Sequence, residues 1–437
     1  MEFKNNKKTI KAWAMFDWAN SAYNLVITST IFPAYFTIIT TTEEFGDKVV
    51  FFGRSFTNTA LSNYALAVAY LLMALSLPIF SAIADYRGNK MAFMKFFTYM
   101  GGIACAGLFF FKLETLEFSV ICFALAAMGY VGGVTFNNSY LPEIATIEEQ
   151  DRVSAKGYSY GYIGSVLLQI ISFVFVLKPE WFGITDPSLP ARLSFLLVGI
   201  WWISFAQIPF RKLPLASPNN KKLNRKLIRS GFQEFEKVWQ HLKEMRVLKR
   251  FLTAFFFYSM GVQTIMLVAA GFGEKVLNLG TTKLIATVLV IQLVAILGAQ
   301  AMSYLANKIG NLLVLAIVLV IWIFLCISAY YVERELEFYI LAAIVGFVMG
   351  GVQSLSRSTY SKFLPEDTPD TASFFSFYDV TEKIAIVIGL ICFGYIEEFT
   401  GNMRNSALSM SGFFIIGLVL LITIVNVKTP DNNKAIE

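Results

Sequence analysis

Asp379, Glu382 and Lys383 fall within five residues of a segment that is otherwise apolar as far as about residue 396, with Tyr378 beside them. An ionised side chain in hydrocarbon costs about 2.5–3.5 kcal/mol on insertion scales, so such groups turn toward one another or toward water. Asp379 and Lys383 are four residues apart, share a helical face and can pair. Arg357 lies in another oily segment, with Gln353, Ser354 and Ser356 close by. A guanidinium stays charged and forks two hydrogen bonds to a carboxylate. It could hold a carboxylate on a solute, or equally a fixed acid such as Asp379. A third set, Asp17, Asn20, Ser21 and Asn24, recurs at three- and four-residue spacing on one predicted helical face, with Tyr23 adjacent. Asn137 and Asn138 close a fourth segment. An amide in lipid seeks either water or an interhelical hydrogen bond. These groups suit the recognition of a small polar or zwitterionic molecule. Each has a structural reading too: Asp17 as a carboxylate near a helix start, Tyr23 as a helix contact, and Asp379, Lys383 and Arg357 as a fixed network.

Proton movement is open to this set only through carboxylates. The one histidine, His241, sits in a charged loop, which leaves Asp17, Asp379 and Glu382 as candidates. Burial raises a carboxyl pKa and a neighbouring Arg or Lys lowers it, so a change of surroundings could tip the balance. The four cysteines, Cys105, Cys122, Cys326 and Cys392, lie in apolar blocks with no metal or redox spacing. Neither a phosphate-binding Gly-x4-Gly-Lys-Ser/Thr loop nor a nucleophile–base set is present. Enzymatic and ATP-driven chemistry are therefore not expected, nor is a metal, a cofactor or a nucleic-acid partner.

The elements that must position these residues are membrane spans. The 437 residues are 56% hydrophobic and only 15% charged, against about 25% charged in soluble domains. The apolar surplus comes in blocks of about 20 residues, the length that crosses a bilayer as helix. Twelve spans are expected, near 12–40, 58–83, 91–111, 117–141, 154–177, 191–210, 250–272, 283–306, 311–331, 337–362, 372–396 and 407–427. Backbone polar groups have no water partner in hydrocarbon, so each should be helical. Pro33, Pro78 and Pro209 should kink or end their helices. With the N-terminus inside, 26 Lys or Arg fall on the inner side and 9 on the outer, and Lys383 lies within a span. That bias predicts both termini in the cytoplasm. The basic start, residues 1–11, followed by a long apolar block, reads as leading into a retained span.

The chain is duplicated. Ser81, Asp85, Gly88 and Asn89 recur 222 residues later as Ser303, Asn307, Gly310 and Asn311. Gly129, Gly132 and Gly133 before Leu141-Pro142-Glu143 are echoed by Gly346, Gly350 and Gly351 before Leu364-Pro365-Glu366. Two parallel six-helix repeats are the expected symmetry. The predicted division is a bundle over 1–210, a basic loop over 211–249 and a second bundle over 250–437. In that loop Phe232, Phe235, Val238, Trp239, Leu242 and Met245 keep helical spacing among charged residues. An amphipathic helix on the inner membrane surface is expected there, drawn to anionic lipid.

The loop Asp85-Tyr86-Arg87-Gly88-Asn89-Lys90 resembles the signature loop of the major facilitator superfamily, usually G-x3-D-R-x-G-R-R. Ser81, Tyr86 and Asn89 depart from it, while Asp85 and Gly88 are kept. More specific strings are Asp17-Trp-Ala-Asn-Ser-Ala-Tyr23 with Ile31-Phe-Pro-Ala-Tyr-Phe36, Phe136-Asn-Asn-Ser-Tyr-Leu-Pro-Glu143, Gly350-Gly-Val-Gln-Ser-Leu-Ser-Arg-Ser358, and Phe374-Phe-Ser-Phe-Tyr378 leading to Lys383. Together, over nearly the whole chain, they resemble the bacterial branch of major facilitators related to the fungal vacuolar amino-acid effluxers of autophagy. Glu382 stands where that resemblance leads one to expect a small residue.

The resemblance implies an all-α major facilitator fold of about 12 transmembrane helices, two six-helix bundles related by a pseudo-two-fold axis. It implies a secondary transporter of a small solute, amino acids among the candidates, with spans 1, 4, 7 and 10 lining the path. Asn20, Tyr23, Asn24, Asn137, Asn138, Gln353, Arg357 and Tyr378 would then meet substrate. Asp17, Asp85, Asp379, Glu382 and Lys383 would couple or gate, Asp85 by holding nearby helix ends at the inner gate. The expected setting is the bacterial inner membrane, with lipids around a monomer and protons as coupling ion. The competing reading is a receptor or scaffold acting through the basic central loop.

Overall fold

The computed structural model describes residues 4–43, 45–215, 225–366 and 368–425. Residues 216–224 of the central loop, the side chain of Phe232 and the C-terminal tail from 426, expected to lie on the same side as the N-terminus, fall outside the described residues.

The helices follow the apolar blocks in order: α1 (Lys7–Ala22), α2 (Ile31–Thr40), α3 (Asn58–Arg87), α4 (Lys90–Gly107), α5 (Leu116–Asn138), the short α6 (Leu141–Ile144), α7 (Gln150–Leu177), α8 (Leu189–Lys212), α9 (Arg225–Glu244), α10 (Arg246–Leu277), α11 (Thr281–Ile309), α12 (Asn311–Tyr331), α13 (Glu335–Lys362), α14 (Thr371–Thr400) and α15 (Met403–Val425). Among the described residues, 11 helical runs are long and apolar enough to cross a membrane. The helix α14 is as long as α3, 30 residues, and it carries the charged Asp379, Glu382 and Lys383 near its start.

Span 1 differs from a plain helix. Between α1 and α2 the backbone widens into a π-helix, Tyr23–Thr30. Its i→i+5 bonding changes the phase of the side chains. Asp17 and Asn20 are buried, whereas Asn24, just inside the widened segment, is exposed. The single face expected from regular spacing is therefore broken after Tyr23. The Thr30 hydroxyl bonds the Leu25 carbonyl at 2.7 Å and so serves the widened turn.

The prolines are absorbed without ending their helices on the spot. α3 continues through Pro78, whose carbonyl accepts from the Ser81 hydroxyl at 3.0 Å. Pro209 lies in the last turn of α8. Between α2 and α3 the chain forms a hairpin, β1 (Lys48–Phe51) antiparallel to β2 (Arg54–Thr57), which the sequence reading did not foresee.

By packing, the described chain forms two compact units. One comprises residues 1–238 together with Pro365–Ile384, and the other comprises Trp239–Leu364 with Ala385–Glu437. The first turns of α14 thus pack with the N-terminal helices. The middle of α9 packs on this segment: Phe235 stacks on Phe377 at 5.4 Å, Lys237 reaches Asp370 at 3.8 Å, and Val238 is buried. The amphipathic helix expected in the central loop is present, and part of its apolar face is covered by protein.

Candidate functional site

Within the first unit the polar side chains of the spans gather at three levels. At one end, Gly88 leaves α3 in the left-handed conformation, φ 62°, which only glycine adopts cheaply, and Asn89 caps α4 through the Ala92 N–H. This tight turn presents Asp85 to the start of α14. Its carboxylate accepts from the backbone N–H of Ala372 at 3.2 Å, and from the N–H and the hydroxyl of Ser373, both at 2.7 Å. A carboxylate satisfies the unpaired amides of a helix N-terminus and complements its dipole.

Lys90, one turn of chain further on, forms an ion pair with Glu143 and lies over the Tyr140 ring at 4.1 Å. Thr371, the first residue of α14, donates to Glu143 at 3.2 Å. The signature loop, the Leu-Pro-Glu string and the start of α14 thus form one polar clasp. The sequence reading named Asp85 and quoted Glu143, but it did not foresee Thr371 or Ser373. A Thr-Ala-Ser start signals a helix N-terminus, not the acid that will cap it.

Further along α14, Lys383 pairs with Glu382 at 2.6 Å, with both side chains largely buried. The expected i,i+4 spacing pointed to Asp379. The two long neighbouring side chains instead fold onto each other. The Lys383 ammonium lies 5.7 Å from the centre of the Tyr70 ring of α3, and Tyr130 of α5 is a second electrostatic neighbour. Tyr130 in turn packs against Tyr23 at 5.2 Å, which also meets Trp202 at 5.7 Å. Tyr23 is fully buried in this ring stack. Neither Tyr70 nor Tyr130 was singled out from sequence, because an aromatic residue in a span carries no signal that separates a site wall from packing. Tyr378 and Asp379 are buried on the same turns of α14.

The third level is α1 against α5. Asn137 donates its amide to Asp17 at 3.4 Å, and the Trp13 indole donates to the Asn137 carbonyl at 2.7 Å. Asn20 and Asn138 are buried alongside. Asp17 therefore has a partner inside its own unit.

In the second unit, Arg357 is 2% exposed on α13 and Gln353, one turn earlier, is half-buried. The neighbouring Ser356 hydroxyl and the Tyr258 hydroxyl of α10 share a hydrogen bond of 2.7 Å. α13 reaches this position through close glycine packing described below.

Chemically, the first unit offers a buried cation and anion side by side under aromatic rings. Such a pair can exchange its internal partner for the opposite charges of a zwitterion, or lose its balance when a proton arrives.

The chain's relatives share this framework. The family model described as Vacuole effluxer Atg22 like matches residues 5–435. The MFS-type transporter YxiO of Bacillus subtilis (strain 168) is 31% identical over 419 residues, 96% of this chain and 95% of its own length. Autophagy-related protein 22 of Kluyveromyces lactis is 24% identical over 475 residues, 94% of this chain and 92% of its own. Among solved structures, the fold matches the human organic anion transporter MFSD10 with a TM-score of 0.71 at 11% identity, covering 95% of this chain and 99% of that one. It matches the Escherichia coli fucose:proton symporter with a TM-score of 0.68 at 12% identity, covering 95% and 97%. The signature loop closing on α14, the long apolar helices and these matches agree, and the chain belongs to the Vacuole effluxer Atg22-like family, integral membrane secondary transporters of the major facilitator type.

Proposed function

We propose that this transporter moves a small polar organic solute, with amino acids as the leading class, across a bacterial inner membrane by alternating access, and that proton transfer on a carboxylate accompanies the cycle. The observation that carries this reading is the buried Glu382–Lys383 pair beside Tyr70. A fixed ion pair in so apolar a helix costs desolvation and is weak as a stabiliser. A zwitterionic solute supplies the same two charges. Its carboxylate would meet Lys383 or Arg357, and its ammonium Glu382, Asp379 or Asp17. The amides of Asn20, Asn24, Asn137, Asn138 and Gln353 and the phenols of Tyr23 and Tyr378 would add neutral contacts. The description of the matching family, Vacuole effluxer Atg22 like, fits a direction of efflux.

The accompanying layout is a bundle over 1–210, a connecting loop over 211–249 and a bundle over 250–437, in a monomer with both termini in the cytoplasm. Asp85 then lies at the cytoplasmic end and contributes to gating. Between the tether and receptor readings of the central loop, the seating of Phe235 on Phe377 favours a tether.

The test is flux in proteoliposomes. A panel of radiolabelled amino acids is offered with and without an imposed pH gradient. Uptake or counterflow that depends on the protein, is accelerated by the gradient and is lost in Lys383→Gln supports the proposal. Correctly folded protein that moves no member of the panel refutes the substrate class, and flux indifferent to the gradient refutes the coupling.

A further inference from the structure

Where α2 hands over to α3, the chain does something uncommon. The strands β1 and β2 are joined by a two-residue turn at Phe52-Gly53, with both residues at positive φ, 46° and 77°. That backbone matches the twist of a hairpin, and Gly, Asn or Asp normally fills its first position. A phenylalanine there sits in a strained region and yet stays 68% exposed.

Its neighbours are aromatic as well. Phe52 meets Phe51 at 4.7 Å, Phe51 meets Phe56 at 6.5 Å, and Phe56 meets Tyr64 at 6.4 Å. The pairing Phe51↔Arg54 and Val49↔Phe56 puts Phe51 and Phe56 on one face of the hairpin, both half-buried beside the buried Val49, with Phe52 exposed at its tip. Tyr64 belongs to α3, and its ring leans back toward the helix start, as long helical side chains do. Below it, Val68, Leu71, Leu72 and Leu75 of α3 are all about half exposed or more, a surface suited to acyl chains. A continuous strip of rings therefore climbs from the exposed apolar side of α3 to the tip of the hairpin. Lys48 and Arg54 are exposed on the strands, as are Glu43 and Asp47 just before them. This is a mixed-charge rim suited to zwitterionic headgroups.

We infer that the 48–57 hairpin is an interfacial anchor: its aromatic strip lies in the headgroup–acyl boundary of the leaflet at the end of α3 opposite Asp85. Amphipathic rings favour that depth. The partner is phospholipid, and the strip's continuity with the membrane-facing side of α3 identifies it. Partition of Phe52 into the interface offsets the strain that a glycine would have avoided. The anchor joins α2 to α3, so it fixes where the chain of span 1 leaves the bilayer.

The test uses the full chain in phosphatidylcholine–phosphatidylglycerol vesicles. Cys105, Cys122 and Cys326 are buried, and Cys392, partly accessible, is replaced by alanine. A nitroxide is placed at Phe52→Cys, at Leu71→Cys as the lipid reference and at Glu333→Cys as the exposed-loop reference. Oxygen concentrates among acyl chains and a nickel chelate stays in water. The expected oxygen-to-nickel accessibility ratio at position 52 approaches that at 71 and exceeds that at 333 several-fold. A ratio equal to that at 333 overturns the inference. So does nitroxide–nitroxide broadening without oxygen preference, which would mean that the strip meets a second copy of the chain. Phe52→Trp provides an independent reading. Its added fluorescence should be quenched by lipids brominated near the headgroup, and no quenching relative to the unsubstituted chain would also overturn it.

Discussion

Asp85 grips Ser373 twice, at 2.7 Å through its backbone N–H and at 2.7 Å through its hydroxyl. The two residues are 288 apart in sequence. The contact makes the start of α14 a part of the N-terminal unit.

Replacing this acid tests the clasp. Losing a cap typically costs about 0.5–2 kcal/mol. Asp85→Ala should lower the melting temperature of the purified protein, and Asp85→Asn, which keeps an acceptor but loses the charge, should lower it less. Ser373→Ala should cost less than Asp85→Ala, because the backbone N–H bonds survive. Equal melting temperatures for all three and the parent would remove the contact from the energetics.

The Glu382–Lys383 pair calls for single and double replacements. Removing one partner of a buried ion pair costs about 3–5 kcal/mol, whereas replacing both by apolar groups is often close to neutral. Glu382→Gln and Lys383→Gln should each destabilise strongly, while Glu382→Leu with Lys383→Met should recover most of the stability and abolish flux. Thermal unfolding in detergent and proteoliposome uptake read the two effects separately. A double variant that still transports would place substrate recognition elsewhere.

Arg357 offers a test in the second unit. Lysine keeps the charge without the fork. Arg357→Lys should raise the apparent KM for a carboxylate-bearing solute more than it lowers the maximal rate, and Arg357→Gln should do so more severely. An unchanged KM would leave the guanidinium a purely internal role.

The glycines separate packing from flexibility. A Cβ at Gly350 would lie 2.0 Å from the Ala295 carbonyl oxygen, and one at Gly298 would lie 1.9 Å from that of Phe347. At Gly394 nothing lies within 4 Å. Gly350→Ala should cost about 1–3 kcal/mol, the usual penalty of overpacking. Gly394→Ala should be neutral or gain up to about 1 kcal/mol from helix propensity. Melting temperatures of the two variants should therefore move apart.

How much of this was legible beforehand depends on the range of the interaction. Spans declare themselves through long apolar blocks, and the helical spacing of Phe235, Val238 and Leu242 announced α9, because both patterns are local. The turn at Gly88 and the acid before it were also readable. Three features were not. The hairpin is built from two four-residue strands in a connection where span logic expects only a loop. The π-helix of Tyr23–Thr30 depends on packing against neighbouring helices, and no residue pattern marks it. The partner of Lys383 was sought by helical spacing at Asp379, but two flexible side chains next to each other can meet without sharing a face. Asn24 fell out of its expected company for the same kind of reason, since the widened turn re-aims it.

The glycine runs carry a consequence of their own. In sequence the two are copies, yet they seat against different neighbours. Gly129 touches the backbone of α4 at Gly101, and Gly132 faces Phe97 of the same helix. Gly346 and Gly350 instead press on the backbone of α11, at Ile291 and Ala295. In the order of the spans α11 corresponds to α3, not to α4. Each glycine helix is thus seated on a different neighbour, α5 on α4 and α13 on α11. The two glycine helices are therefore held along different seams, so a strain applied equally to both would bend them along different lines.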